Sequence, residues 1–106
     1  MKKRDIVIIA DYSSREPLGL EELIELSQSS PDFIQELIEF GILAPAPTPV
    51  TKREFDVDEL QRIKTVQRLQ RDLEINMAGA ALVLDLLDQL DEMQVKIALF
   101  EKHLMR

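Results

Sequence analysis

Seven apolar residues late in the chain, Val83, Leu86, Leu90, Met93, Ile97, Phe100 and Leu104, follow one another at alternating intervals of three and four. That spacing is the seam of a heptad repeat, with Val83, Leu90, Ile97 and Leu104 at a and Leu86, Met93 and Phe100 at d. So narrow a stripe suits helices that wind around each other better than one helix lying on a small core. Burying each side chain contributes roughly 1.5–3 kcal/mol, most of it available only if a second helix covers the seam. The seam therefore predicts a homodimer interface. Leu82 and Leu87 widen the stripe and leave a second arrangement open, a long amphipathic helix folded against its own domain. The upstream half carries enough apolar residues to close a core by itself, which favours self-association.

A chain of 106 residues makes one domain, or one small domain with a helical extension. We divide it into a body over 1–75 and a heptad helix over 76–106, together one structural unit. A hydrophobic fraction of 45% excludes wholesale disorder, and the scarcity of aromatics makes the core aliphatic. The formal net charge of −7 disfavours nonspecific affinity for nucleic acid or anionic lipid and points to a basic partner. With no cysteine there is no disulfide and no thiolate chemistry. Lys2, Lys3 and Arg4 precede an apolar run that Asp11 ends after Ala10. A secretory core needs about 7–15 apolar residues and a spanning helix about 20, so the chain is expected to be cytoplasmic and off the membrane.

Ile6 to Ile9 is a short β-branched run that predicts one buried strand. Pro17 and Gly19 mark a connector, and a first helix is expected from about Leu20 to Ser27, with Leu20, Leu23, Ile24 and Leu26 on its apolar side. Ser30-Pro31-Asp32 is a helix start: Ser30 caps, Pro31 suits the first helical position and Asp32 complements the dipole. The second helix is expected to run to Phe40, with Phe33, Ile34, Leu37 and Ile38 buried and Gly41 terminating it. The two form a helix-turn-helix. Pro45, Pro47 and Pro49 then exclude helix and predict a stiff extended loop, returning over Thr51 to Phe55 as a short strand to make a wing. In Phe55-Asp56-x-x-Glu59-Leu60, Asp56 and Glu59 form a capping box and Phe55 staples onto Leu60. The third helix should extend to about Glu74, with Leu60, Ile63, Val66, Leu69 and Leu73 inward. Asn76 caps the last helix, and Gly79 suggests a close crossing.

A helix-turn-helix, Gly41-Ile42-Leu43 followed by Pro45, a wing, Phe55-Asp56-x-x-Glu59-Leu60, a charged helix and a heptad helix together resemble the MerR-type winged helix, over roughly residues 20 to 104. Within it the chain is most similar to the chaperone-modulator CbpM family. The N-terminal strand, and Leu69-Gln70-Arg71-Asp72-Leu73 leading through Gly79 into Leu82-Val83-Leu84-Asp85-Leu86-Leu87-Asp88, carry that likeness. The resemblance implies a mainly α fold, a MerR-like winged helix-turn-helix with a short N-terminal strand and a C-terminal dimerising helix. It also implies an adaptor that binds the J-domain of the DnaJ-like co-chaperone CbpA and restrains both its stimulation of the Hsp70 chaperone DnaK and its DNA binding. DNA-binding MerR proteins carry Arg-Tyr-Tyr and a Glu-Arg pair on the recognition helix. Aligned on Gly41-Ile42-Leu43, those places hold Gln35-Glu36-Leu37 and Ile38-Glu39 here.

That departure has a charge signature. Between Leu20 and Leu43 stand six carboxylates (Glu21, Glu22, Glu25, Asp32, Glu36, Glu39) and no Lys or Arg. Phosphate contacts from cationic side chains and amides supply most of the affinity of a DNA-binding module, so this helix would repel DNA. J-domains of the resembled partners carry a helix rich in Lys and Arg, and Asp32, Gln35, Glu36 and Glu39 are the expected contact residues. The plainer alternative is a solvated helix surface. A rival function, a MerR-like transcriptional regulator, would place Lys52, Arg53 and Arg62 on DNA. Lys64, Arg68 and Arg71 add to that basic set, but Glu54, Asp56, Asp58, Glu59, Asp72 and Glu74 are interspersed and nearly cancel it. No nucleophile-base pair, phosphate loop or metal set stands out, so neither catalysis nor a cofactor is expected. His103, the single histidine, suits a surface or capping role, and Asp85, Asp88, Asp91 and Glu92 a solvated face.

Overall fold

The computed structural model describes residues 17–105, and among these the fold is mainly helical. The strand expected at Ile6 to Ile9 lies outside the described residues. Four helices follow in order: α1 (Leu20–Ser27), α2 (Pro31–Glu39), α3 (Val57–Leu73) and α4 (Met77–Leu104), with a 3-10 turn at Val50–Lys52 between α2 and α3.

Local chemistry sets each boundary. The Gly19 N–H donates to Glu22 Oε1 at the start of α1. Ser30 Oγ accepts from the Phe33 N–H ahead of Pro31, opening α2. Asp56 and Glu59 exchange both bonds of a capping box at α3 (2.8 and 3.0 Å). Asn76 Oδ1 accepts from the Gly79 N–H at α4. At the end of α2 the Ile42 N–H reaches the Leu37 carbonyl and the Gly41 N–H reaches Ile38, a Schellman closure with Gly41 at φ +77°.

The core gathers one face of every helix: Leu23 from α1, Ile34 and Leu37 from α2, Leu60, Ile63 and Val66 from α3, and Met77, Ala80 and Leu84 from α4. Leu18, Ile42, Leu43 and Phe55 complete it from the connecting segments. Gln67 Nε2 donates to the Ser27 carbonyl and so ties α3 to the α1–α2 turn. Arg62 fastens α3 on its other side, donating to the Ile42 carbonyl at 2.8 Å and to both Asp88 oxygens of α4 at 3.1 and 3.2 Å.

Two expectations need correction. Thr51 to Phe55 does not form a strand: the segment holds the 3-10 turn and makes one isolated antiparallel bridge, Phe55 with Leu18. Pro45, Pro47 and Pro49 on the outgoing arm have no N–H to offer, so no ladder can form across the loop. Leu73 is 62% exposed, because the last turn of α3 runs past the core and Ile75, after the bend, packs there instead.

A candidate partner-binding face

Asp32, Gln35, Glu36 and Glu39 occupy positions i, i+3, i+4 and i+7 of α2, opposite the buried Ile34 and Leu37, and all four are exposed. Glu21, Glu22 and Glu25 of α1 are exposed as well. None of the ion pairs among the described residues involves any of these carboxylates. The helix-turn-helix thus presents an acidic surface that no cation among the described residues pairs with. Phe40, 44% exposed, stands at the end of the same helix.

The cations assigned to a DNA face behave differently. Arg53 is nine-tenths buried: its Nη2 pairs with Glu59 and its guanidinium lies 4.6 Å from the centroid of the Phe55 ring. Arg62 is spent on Ile42 and Asp88. Arg71 pairs with its neighbour Asp72 at 2.9 Å, a hydrogen bond that holds the Asp72 carboxyl below the usual carboxylate range. Of the three residues the rival reading needs, Lys52 alone is exposed.

A feature that periodicity did not reveal lies beside the acidic stripe. Between α2 and the proline loop is a cleft of about 240 Å³, walled by Gln35 and Ile38 on one side and by Pro45, Ala46, Pro49 and Val50 on the other, with Arg53 contributing to its lining. Among the described residues Arg53 Nη1 has no hydrogen-bond partner. The signal available beforehand was the proline spacing, which makes a loop rigid enough to stand off a helix without collapsing onto it.

The heptad residues also have a definite place. At about 100° per residue, the seam is turned by roughly 120–150° from the Met77, Ala80, Leu84 stripe that meets the core. Leu86, Leu90, Met93, Ile97, Phe100 and Leu104 are 50–71% exposed, and every described residue from Asp85 onward is exposed. Val83 is half-buried, and beyond it the described part of the body does not cover the seam; Leu82 and Leu87 do not fold it back.

No described helix is long and apolar enough to cross a membrane. Among the described residues no cluster of three or more His, Cys, Asp or Glu could hold a metal ion.

Comparison with known proteins identifies the family. The model of the MerR HTH family regulatory proteins matches residues 18–102. The Chaperone modulatory protein CbpM of Coxiella burnetii (strain Dugway 5J108-111) is 35% identical over 95 residues, covering 90% of this chain and 88% of its own. The protein of the same name from Pseudomonas entomophila (strain L48) is 26% identical over 89 residues, covering 84% and 88%. No solved structure matches the chain. The family match over residues 18–102 and the 35% identity to the Coxiella burnetii protein over 90% of this chain place it in the chaperone-modulator CbpM family of MerR-type helix-turn-helix proteins.

Proposed function

We propose that this protein is a non-enzymatic cytoplasmic adaptor that binds the J-domain of a CbpA or DnaJ-like co-chaperone and inhibits it. The observation that carries this reading is the exposed stripe Asp32, Gln35, Glu36 and Glu39, with no cation among the described residues paired to it. A Lys- and Arg-rich helix of a J-domain complements that stripe, and long-range attraction steers the encounter. Inhibition is stoichiometric occlusion: α2 covers a J-domain surface that the Hsp70 chaperone also needs, and the same contact restrains the co-chaperone's DNA binding. The working unit is a homodimer joined through Val83, Leu86, Leu90, Met93, Ile97, Phe100 and Leu104.

Charge reversal tests the site. The double variant Glu36→Lys, Glu39→Lys should weaken binding of the cognate J-domain by about tenfold or more while leaving helicity and oligomeric state unchanged. Unaltered affinity in the double variant would remove α2 from the interface.

The rival reading, a DNA-binding regulator, draws on the regulatory description of the matched family. A gel shift at two salt concentrations separates the two, since a DNA complex held by phosphate contacts loses affinity steeply as salt rises. With Arg53 and Arg62 engaged inside the fold, we expect no salt-sensitive, sequence-selective shift.

A further inference from the structure

We infer that the cleft between α2 and the proline loop is the apolar anchor of the partner surface, receiving one aliphatic or aromatic side chain from a helix flanked by Lys or Arg. This rests on the reading of α2 as the binding face.

Charge alone makes a poor interface here. Asp32, Glu36 and Glu39 are solvent-exposed, and exposed ion pairs contribute little once water and salt have screened them. Affinity needs a desolvated centre around which such charges form a rim. The cleft is placed to be that centre, because Gln35 belongs to both: it is one of the four stripe residues and it lines the cleft. A side chain entering beside Gln35 would bring its helical neighbours over Glu36 and Glu39.

The size of the cleft decides what enters. At about 240 Å³ it lies below the roughly 300–1,000 Å³ of small-molecule sites, so it suits a side chain rather than a cofactor. Ile38, Pro45, Ala46, Pro49 and Val50 make the lining mainly apolar. The neighbouring carboxylates repel a free anion and attract a cationic segment. Prolines at 45, 47 and 49 hold the loop in place before the partner arrives, which lowers the ordering cost of binding.

Arg53 forms part of the wall of the cleft. Glu59 and the Phe55 ring hold its guanidinium in place. The cleft thus offers apolar contact against a wall that is set before the partner arrives.

The test is a calorimetric titration of the purified J-domain of the DnaJ-like co-chaperone into the full-length protein. Ala46→Trp fills the cleft from an exposed loop position, and Ala46→Ser is the conservative control. We expect Ala46→Trp to weaken binding by about tenfold or more, and Ala46→Ser to stay within about twofold of the parent. Parental affinity in Ala46→Trp would overturn the anchor while leaving the acidic face standing. Failure of the parent protein to bind the J-domain would overturn the proposed function and the anchor together. Amide and arginine side-chain NMR shifts of the unmodified protein give a second readout that needs no variant. Perturbation at Ala46, Val50 and the Arg53 guanidinium supports the anchor, and perturbation confined to Glu36 and Glu39 overturns it.

Discussion

Gln28 and Glu74 each hold a backbone φ of +54°, the left-handed conformation that glycine adopts freely and that costs other residues about 1–2 kcal/mol. Gln28 does so because α1 must stop and turn within three residues to place Ser30 at the head of α2; the Ser29 N–H closes the helix on the Ile24 carbonyl. The Gln28 side chain is exposed and makes no hydrogen bond among the described residues, so nothing is lost when it is removed. Gln28→Gly should therefore raise stability by roughly 0.5–1 kcal/mol, read as a higher urea midpoint at unchanged slope. A midpoint at or below the parent's would show that the left-handed residue is not under strain. Arg53 teaches the opposite lesson about single residues. In the sequence it is one more cation beside Lys52, and no periodicity applies in a proline loop to say which way it points. Its burial follows from Glu59, six residues on, whose carboxylate serves both the capping box and the guanidinium.

At the scale of elements, what was legible in the sequence was whatever local chemistry determines. Each helix that begins with a capping residue begins where the caps place it: Ser30, Asp56 and Asn76 all accept the predicted backbone N–H. The wing strand was not legible, because strand formation depends on a partner whose proline-rich backbone cannot donate. Gly79 falls between these cases. A close approach was expected there, and it is made not by another helix but by the chain's own bend: a Cβ at Gly79 would come within 2.5 Å of Ile75 Cγ2 and 3.3 Å of the capping oxygen of Asn76. Ile75 is packed against the core and cannot withdraw freely. Gly79→Ala gains about 1 kcal/mol of helix propensity but should lose more to the clash, for a net destabilisation of roughly 1 kcal/mol. The cause is separable by a double-mutant cycle. In an Ile75→Ala background the obstructing methyl is gone, and the same Gly79→Ala change should become stabilising. A penalty that persists there would locate the conflict at Asn76.

The described residues make a body longer than its core requires. Their extents are 50 × 32 × 31 Å, and α4, with 28 residues, spans about 42 Å. Among the described residues, contact with the body is confined to the start of α4, through Met77, Ala80, Ala81 and Leu84, with Asp88 held by Arg62. Beyond Asp88 roughly four and a half turns project with no tertiary support from the described residues, and unsupported helices of that length are marginal in water. The side chains exposed along the projection, among them Leu90 (57%), Ile97 (56%) and Phe100 (66%), form a larger apolar face than a soluble monomer ordinarily tolerates. The helix and its exposed seam present one physical problem, and the proposed pairing with a second copy would answer both parts of it. The three-four spacing made the apolar stripe readable in advance; its direction away from the core depended on where the core stripe falls, which the tertiary fold sets. Leu90→Asp places a charge in the middle of the seam without touching the body's core. We expect sedimentation equilibrium to report a dimer for the parent and a monomer for the variant, far-ultraviolet ellipticity to fall in the variant as the projecting turns fray, and melting to depend on concentration in the parent alone. A Leu90→Asp protein that keeps the parent's mass and helicity would mean that the seam does not join two chains.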